Sequence, residues 1–450
     1  MRIYLISPTH YTADGSLHKT TRYWTSGITL PYLKALTPPG HDVSFVDELF
    51  YDVDLQRDCD VVGITAMGPQ IQRAYDLADQ FRARGRRVVL GGTWVSLTPE
   101  ASLQHADAVV VGEAETVWPQ LLADFCEGRT RGIYRSSAWH TLNGLPRIDY
   151  TTLPLLKHDA FKSSRLYRMY FHWPVVFSRG CPHPCEYCAV QTYYRRSFRT
   201  RPVAEVIEDL HTIKSLGANH ILFLDDNPIA HPEAAKELFR AMIPLRLKWA
   251  SQSTINIARD PELLDLAARS GCVSLSIGLE SINPDSLDGV HKGFNAPQRF
   301  ARDLAAIRNK GIQIIALLMV GLDGDTVDTF GRSLQFLMDN KISFLKLFTP
   351  CPYPGTKYYD DMQQAGRILS QDWGRYDYGS PLIRPAHMTA EEMMDGFKYV
   401  YEGFYSVRAI AKRLFPPPAG SYLETLAYLV ANLKVNRYLR SHENAWATIS

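Results

Sequence analysis

Three cysteines stand close together in the run Cys181-Pro-His-Pro-Cys185-Glu-Tyr187-Cys188, a C-x3-C-x2-C spacing. Thiolates so spaced on one loop suit three irons of a four-iron cluster and leave the fourth iron without a protein ligand. An iron in that condition is open to a cofactor or substrate, whereas a closed set of four ligands reads as structural. The competing reading is a three-cysteine zinc site completed by His183 or a distant side chain. Arg195, Arg196, Arg199 and Arg201 follow the loop. They are able to clamp a phosphate or carboxylate, and equally able to be solvated or paired locally.

Positioning such a loop takes strands. Apolar runs at 173–178, 221–225, 248–253, 273–278, 313–320 and 344–348 alternate with helical stretches at 203–216, 232–243, 261–270, 297–310 and 326–340. Several of these stretches open on proline and stop at glycine. Six β/α units in series predict a partial barrel over 171–365, with its chemistry at the carboxyl ends of the strands and the cysteine loop directly after the first. Upstream, continuous Val- and Ile-rich runs at 3–7, 43–47, 61–65, 88–91 and 108–112 alternate with helical patterns such as 69–84. That alternation predicts a doubly wound, Rossmann-like parallel sheet over 1–130. Residues 131–170 read as a surface connector, and 366–450 as a mainly helical, aromatic-rich C-terminal region. The expected fold class is α/β throughout the first two domains.

The loop spacing, aromatic Tyr187 before the third cysteine and the strand context resemble the radical S-adenosylmethionine (radical SAM) superfamily over roughly residues 170–365. The resemblance implies that Cys181, Cys185 and Cys188 hold a [4Fe-4S] cluster whose open iron is chelated by the amino and carboxylate groups of SAM. Reductive cleavage would then give a 5′-deoxyadenosyl radical that abstracts a substrate hydrogen. It also implies SAM contacts at or near strand ends from Tyr187, Asp225, Asp226, Ser253, Glu280, Lys292 and Gly321. Capping of the next helix is the alternative use of several such residues.

The stretches 61–65, 71–78, 88–92 and 105–115 resemble the cobalamin-binding domain that precedes the barrel in one large radical SAM class. That resemblance implies cobalamin contacts from Thr65, Gly91, Gly92, Gly112 and Glu113, with the paired glycines letting backbone approach a flat macrocycle or its nucleotide tail. The D-x-H-x-x-G motif that supplies a cobalt ligand in many cobalamin proteins is absent, and His10 reads as an ordinary loop residue. A degenerate module that merely covers the barrel mouth is the alternative for this domain. A methylthiotransferase is disfavoured, because its N-terminal domain carries three further cluster cysteines and this one has only Cys59 and Cys126.

The implied activity is methylation of an unactivated carbon of a small-molecule or lipid-like substrate. One SAM would methylate reduced cobalamin and a second would be cleaved at the cluster. A cyclase or oxidative enzyme with the same cofactors is the alternative, and a non-catalytic cobalamin-binding sensor is the rival from another class. An electron donor such as flavodoxin or ferredoxin is the expected partner.

Composition sets the outer bounds. At 450 residues and 46% apolar content, the chain has material for two or three globular domains. Its 49 basic and 47 acidic residues leave no field of one sign to attract nucleic acid or an anionic membrane. Outside the loop, Cys59, Cys126, Cys272 and Cys351 show no disulfide pattern, which fits a reducing cytoplasm. No stretch offers the roughly 20 apolar residues that span a bilayer. The apolar stretch 426–433 is interrupted by Asn432 and followed by Lys434 and Arg437, and reads as a core or interfacial helix. Cys351 reads as a buried inert thiol. Trp373, Tyr376, Tyr378, Tyr399, Tyr401, Phe404 and Tyr405 read as plain core or as the lining of an apolar cavity.

Overall fold

Runs of Val and Ile without alternation need cover on both faces of a sheet, and the first six strands have it. β1 (Arg2–Ser7), β2 (Asp42–Asp47), β3 (Val61–Thr65), β4 (Arg87–Gly91), β5 (Ala108–Val111) and β6 (Ile133–Arg135) form one sheet in the order β2-β1-β3-β4-β5-β6. Every pairing is parallel. Leu5, Ile6, Val61, Val62, Val88 and Leu90 are fully buried. The helix Gln70–Ala83 contributes Ile71, Ala74, Leu77, Ala78 and Phe81 to the core, and the helix Ala114–Cys126 contributes Leu121, Leu122 and Phe125. The order of strands reverses between β1 and β3, which places the ligand crevice of such a fold at their carboxyl ends, Ser7 and Thr65.

The computed structural model describes residues 1–12, 14–21, 23–136, 139–418 and 421–441; the end of the expected helical region, 442–450, lies outside them. The chain forms two units. One comprises Met1–Pro174 with Glu208–His220 and Asp372–Gly374, and the other the remainder.

The second sheet holds β7 (His172–Val175), β10 (His220–Phe223), β11 (Lys248–Ser253), β12 (Cys272–Glu280), β13 (Gln313–Met319) and β14 (Phe344–Phe348), in the order β14-β13-β12-β11-β10-β7. β11 through β14 pair in parallel. The helices Val203–Ser215, Pro232–Met242, Pro261–Arg269, Pro297–Asn309 and Val327–Asp339 lie between these strands in sequence, three of them with proline in the first turn. On β11 the two faces separate cleanly. Trp249 packs on Phe239 at 4.9 Å in the helical layer, whereas Gln252 on the opposite face is exposed.

Two features depart from the sequence reading. The connector contains a strand, β6, which extends the first sheet by one. The predicted strand 173–178 is two elements, because β7 stops at Val175 and Ser178–Gly180 (β8) pairs antiparallel with Phe198–Thr200 (β9). The physical reason lies in Asp225. Its carboxylate accepts the Phe177 N–H at 3.1 Å, the Ser178 hydroxyl at 2.5 Å and the Ser178 N–H, drawing these donors away from sheet pairing.

After β14 the chain is mainly helical: Ala390–Tyr405, Val407–Leu414 and Tyr422–Ser441. Strand β14 is a sheet edge, and unpaired edge groups need partners. Tyr405 Oη accepts from Leu345 N at 3.2 Å and donates to the Leu345 carbonyl at 2.8 Å, while Tyr401 Oη accepts from Leu347 N at 3.2 Å. Tyr376, Tyr401, Phe404 and Tyr405 are thus core, and Tyr399 is exposed. The helix Tyr422–Ser441 closes the amino ends of the strands. Tyr428 Oη meets Ser274 Oγ at 2.5 Å, Gln313 Nε2 donates to Thr425 at 2.8 Å, and Glu424 pairs with Lys248.

Candidate active site

The cysteine loop is built by the β8–β9 ribbon. Gly180, immediately before Cys181, has φ +87°, and a Cβ there would collide with the Ser197 carbonyl, so the ribbon closes tightly only with glycine. Arg201 holds the ribbon to the sheet, its guanidinium donating to the Val176 carbonyl at 3.0 Å and its N–H to the Phe177 carbonyl at 2.7 Å. This is a bracing role for one arginine of the basic run. Within the loop, Cys188 N donates to the Cys185 carbonyl at 3.2 Å, and Asn227 Nδ2 approaches Cys181 Sγ at 3.8 Å.

Burial raises the pKa of the Cys181 and Cys185 thiols and pushes Cys188 up to about 12. Buried thiolates therefore need a compensating cation, and an iron cluster supplies one. His183 is stacked on Phe294 at 4.1 Å, with burial lowering its pKa.

A second set of residues meets the loop from β12. The β12–β13 register shifts between Gly278 and Glu280, and Glu280 takes a left-handed backbone, φ +62°, which turns its carboxylate onto Lys292. Lys292 Nζ lies 2.5 Å from Glu280 Oε1 and 3.1 Å from Tyr187 Oη. Burial lowers the Lys292 pKa, and the facing Glu280 carboxylate together with the Cys185 and Cys188 sulfurs more than reverses this, so the ammonium stays protonated. Burial and the Glu280 charge both raise the Tyr187 phenol.

The remaining predicted contacts divide. Asp226 accepts from the Gly180 N–H, and burial pushes its carboxyl up to about 6. Asp225 is turned away onto Ser178, and burial pushes it up to about 7 against the lowering effect of those hydrogen bonds. Ser253 is buried at the end of β11, its hydroxyl donating to the Thr254 carbonyl at 3.1 Å. Gly321, with φ +95°, donates its N–H to Asp325 at 3.1 Å; Asp325 also receives Leu322 N–H and the hydroxyls of Ser281 and Ser286.

Sequence reasoning missed Asn227, Asn295 and Asp325 as builders of this site. Asn227 directly follows Asp225 and Asp226 in sequence, and Asn295 bridges the Gly278 and Leu279 carbonyls at 3.0 Å each. Among the described residues, Asn227 Oδ1 and Asn295 Oδ1 are buried without a hydrogen-bond partner. Orphaned polar atoms of this kind, beside three buried thiols, fit a polar cofactor with donors of its own.

In the first sheet, Thr65 and Gly91 are register partners across β3 and β4. Ser96 Oγ donates to the Gly92 carbonyl at 2.8 Å and accepts from Gly112 N at 3.0 Å, so four of the five predicted residues line one carboxyl edge. Gly92 has φ +102°, and a Cβ there would lie 2.6 Å from the Ala66 carbonyl and 2.9 Å from Thr65 Oγ1. Its need for glycine thus comes from the packed ends of β3 and β4. Glu113, buried at the start of the Ala114–Cys126 helix, accepts from His140 N at 3.3 Å. His10 stacks on His18 at 4.9 Å in the loop after β1.

Comparison with known proteins agrees with both halves. The family model for the radical SAM superfamily matches residues 175–337, and that for the B12 binding domain matches residues 32–122. Fold and site together define a radical SAM chain with a B12-binding domain ahead of the barrel. The bacteriochlorophyllide d C-12(1)-methyltransferase of Chlorobaculum tepidum is 32% identical over 87% of this chain and 85% of its own length. The C-8(2)-methyltransferase of the same organism is 30% identical over 78% of this chain and 79% of its own. A solved structure of the radical SAM methyltransferase TsrM from Kitasatospora setae, with cobalamin and a [4Fe-4S] cluster bound, matches with TM-score 0.73. It covers 98% of this chain and 99% of that one at 15% identity, a likeness of fold. The chain belongs to the cobalamin-dependent radical SAM methyltransferases. Its cofactors are a [4Fe-4S] cluster, SAM and cobalamin.

Proposed function

We propose that this enzyme methylates an unactivated alkyl carbon on a tetrapyrrole or a similarly apolar scaffold. Bound together, the cluster, SAM and cobalamin supply hydrogen abstraction from a C–H bond and a methyl group to replace it. Cys181, Cys185 and Cys188 are the thiolate ligands of the cluster, and Asn227 steadies the first of them. Asp226, Ser253, Glu280, Lys292, Tyr187 and Gly321 form the SAM site. Asp225 takes a positioning role through Ser178, since its oxygens are already engaged. Thr65, Gly91, Gly92, Gly112 and Glu113 line the cobalamin cradle, with Glu113 the least directly disposed because it also receives the connector at His140.

The observation that carries the reading is the Lys292 bridge between Glu280 and Tyr187, which fixes the cysteine loop against the end of β12. The substrate class rests on the two bacteriochlorophyllide methyltransferases, each matched over most of both chains. Flavodoxin or ferredoxin is the electron donor in this reading, and nucleic acid is no partner. No helix among the described residues is long and apolar enough to cross a membrane. None of the seven cysteines is in a disulfide, which supports a reducing cytoplasm as the working compartment.

The test is anaerobic turnover of the reconstituted enzyme with a bacteriochlorophyllide and SAM deuterated in its methyl group. Deuterium in the isolated product supports methyl transfer. A product with unchanged carbon count would indicate cyclisation or oxidation instead.

A further inference from the structure

Lys346 is in the middle of β14, on the face of the sheet turned from the helical layer. The register shows this. Phe344 and Lys346 pair with Ile315 and Leu317 of β13, whose partners on β12 are Ser276 and Gly278. The same face carries Ser274, whose hydroxyl meets Tyr428, and the Tyr428 ring in turn lies 6.3 Å from Phe344. Tyr428 is therefore the floor under Lys346. Above it, Phe348 packs on Tyr378 at 5.4 Å. The intervening Leu345 and Leu347 are fully buried on the other side.

Ile315 and Leu317 on the neighbouring strand and Phe344 and Phe348 on its own surround Lys346 with apolar groups, and the charges over Gly278 two strands away, Glu280 and Lys292, are paired with each other. The other lysines of this face are paired, Lys248 with Glu424 at the floor and Lys292 with Glu280 at the mouth. Lys346, only partly exposed, has neither an ion pair nor a hydrogen bond among the described residues. A desolvated ammonium is expensive unless an anion meets it. Burial alone depresses its pKa, a shift that an adjoining carboxylate reverses.

We propose that Lys346 is the receptor for the carboxylate of an otherwise apolar substrate bound inside the barrel. The inference rests on the reading of this sheet's mouth as the SAM and substrate site. It adds to that reading a requirement on ligand chemistry, because an apolar scaffold bearing an acid fits and an electroneutral one leaves the lysine unmatched.

The test uses anaerobically reconstituted holoenzyme with Lys346→Met and Lys346→Arg variants, each first checked for unchanged iron content and cobalamin spectrum. Binding of bacteriochlorophyllide d, as free acid and as propionate methyl ester, is read by absorbance titration, and SAM binding by equilibrium dialysis. If the lysine receives the substrate acid, Lys346→Met weakens free-acid binding about 10- to 100-fold, Lys346→Arg largely restores it, and ester and SAM binding do not move. If only SAM retention falls in Lys346→Met, the lysine serves the cofactor and the inference is overturned. Binding of both ligands unchanged within about twofold in Lys346→Met would overturn the inference. Wild-type enzyme that binds no tetrapyrrole but binds another apolar acid in a Lys346-dependent way would defeat the tetrapyrrole reading while leaving the inference standing.

Discussion

Lys292 Nζ lies 2.5 Å from Glu280 Oε1 and 3.1 Å from the Tyr187 hydroxyl, so one buried ammonium ties the end of β12 to the cysteine loop. Removing one partner of a buried pair leaves an uncompensated charge, typically costing about 3–5 kcal/mol. Lys292→Met should therefore lower stability by that order, and Glu280→Gln combined with Lys292→Met should recover most of it. Thermal unfolding checks the coupling. Equilibrium dialysis should show that SAM binding stays lost in both variants, which separates the role in the site from the role in the fold.

Asp225 gives a pH signature. Burial pushes its carboxyl up to about 7 from the ordinary 3.8, so the folded chain retains a proton that the unfolded chain releases in that window. The stabilising contribution is complete below the ordinary carboxylate value and is lost as pH rises through about 7. Denaturant unfolding between those limits should show wild-type stability falling with pH. Asp225→Asn should show a shallower slope, with some slope remaining from Asp226, which burial also raises.

Gly92 and Gly91 should differ although adjacent. Gly92→Ala places a Cβ against the Ala66 carbonyl in a left-handed backbone, a strain of about 1–3 kcal/mol. At Gly91 the nearest atom to a Cβ is 3.7 Å away, ordinary contact. Melting temperature should fall in Gly92→Ala and hold in Gly91→Ala, whereas the absorbance of retained cobalamin should fall in both.

Tyr405→Phe removes one hydroxyl that serves both backbone groups of Leu345. Stability should drop by about 1–3 kcal/mol, and amide exchange at β14 should accelerate.

The strands that carry long apolar runs were legible because periodicity needs several residues to register. Val61–Thr65, Lys248–Ser253 and Phe344–Phe348 are observed where the sequence places them. The three-residue strands β6, β8 and β9 are too short for that signal, and the β8–β9 ribbon exists because of a carboxylate almost fifty positions away in sequence, Asp225. The cysteine spacing declares itself locally. The partners that orient it, Asn227, Asn295 and the Glu280–Lys292 pair, come together only when the strands do, so residue type and a strand-end position were the most that sequence offered. For Lys346 the trace was a lysine breaking the Phe344–Phe348 apolar run, which alone does not say which face it occupies.

The fate of the SAM methyl group separates transfer from every other radical outcome. Holoenzyme, reductant, a bacteriochlorophyllide and methyl-deuterated SAM under anaerobic conditions should give a homologated tetrapyrrole retaining the label. 5′-Deoxyadenosine and S-adenosylhomocysteine should form in equal amounts, and product should be absent with Cys188→Ala. Tetrapyrrole returned without added carbon, while 5′-deoxyadenosine still accumulates, would contradict methyl transfer.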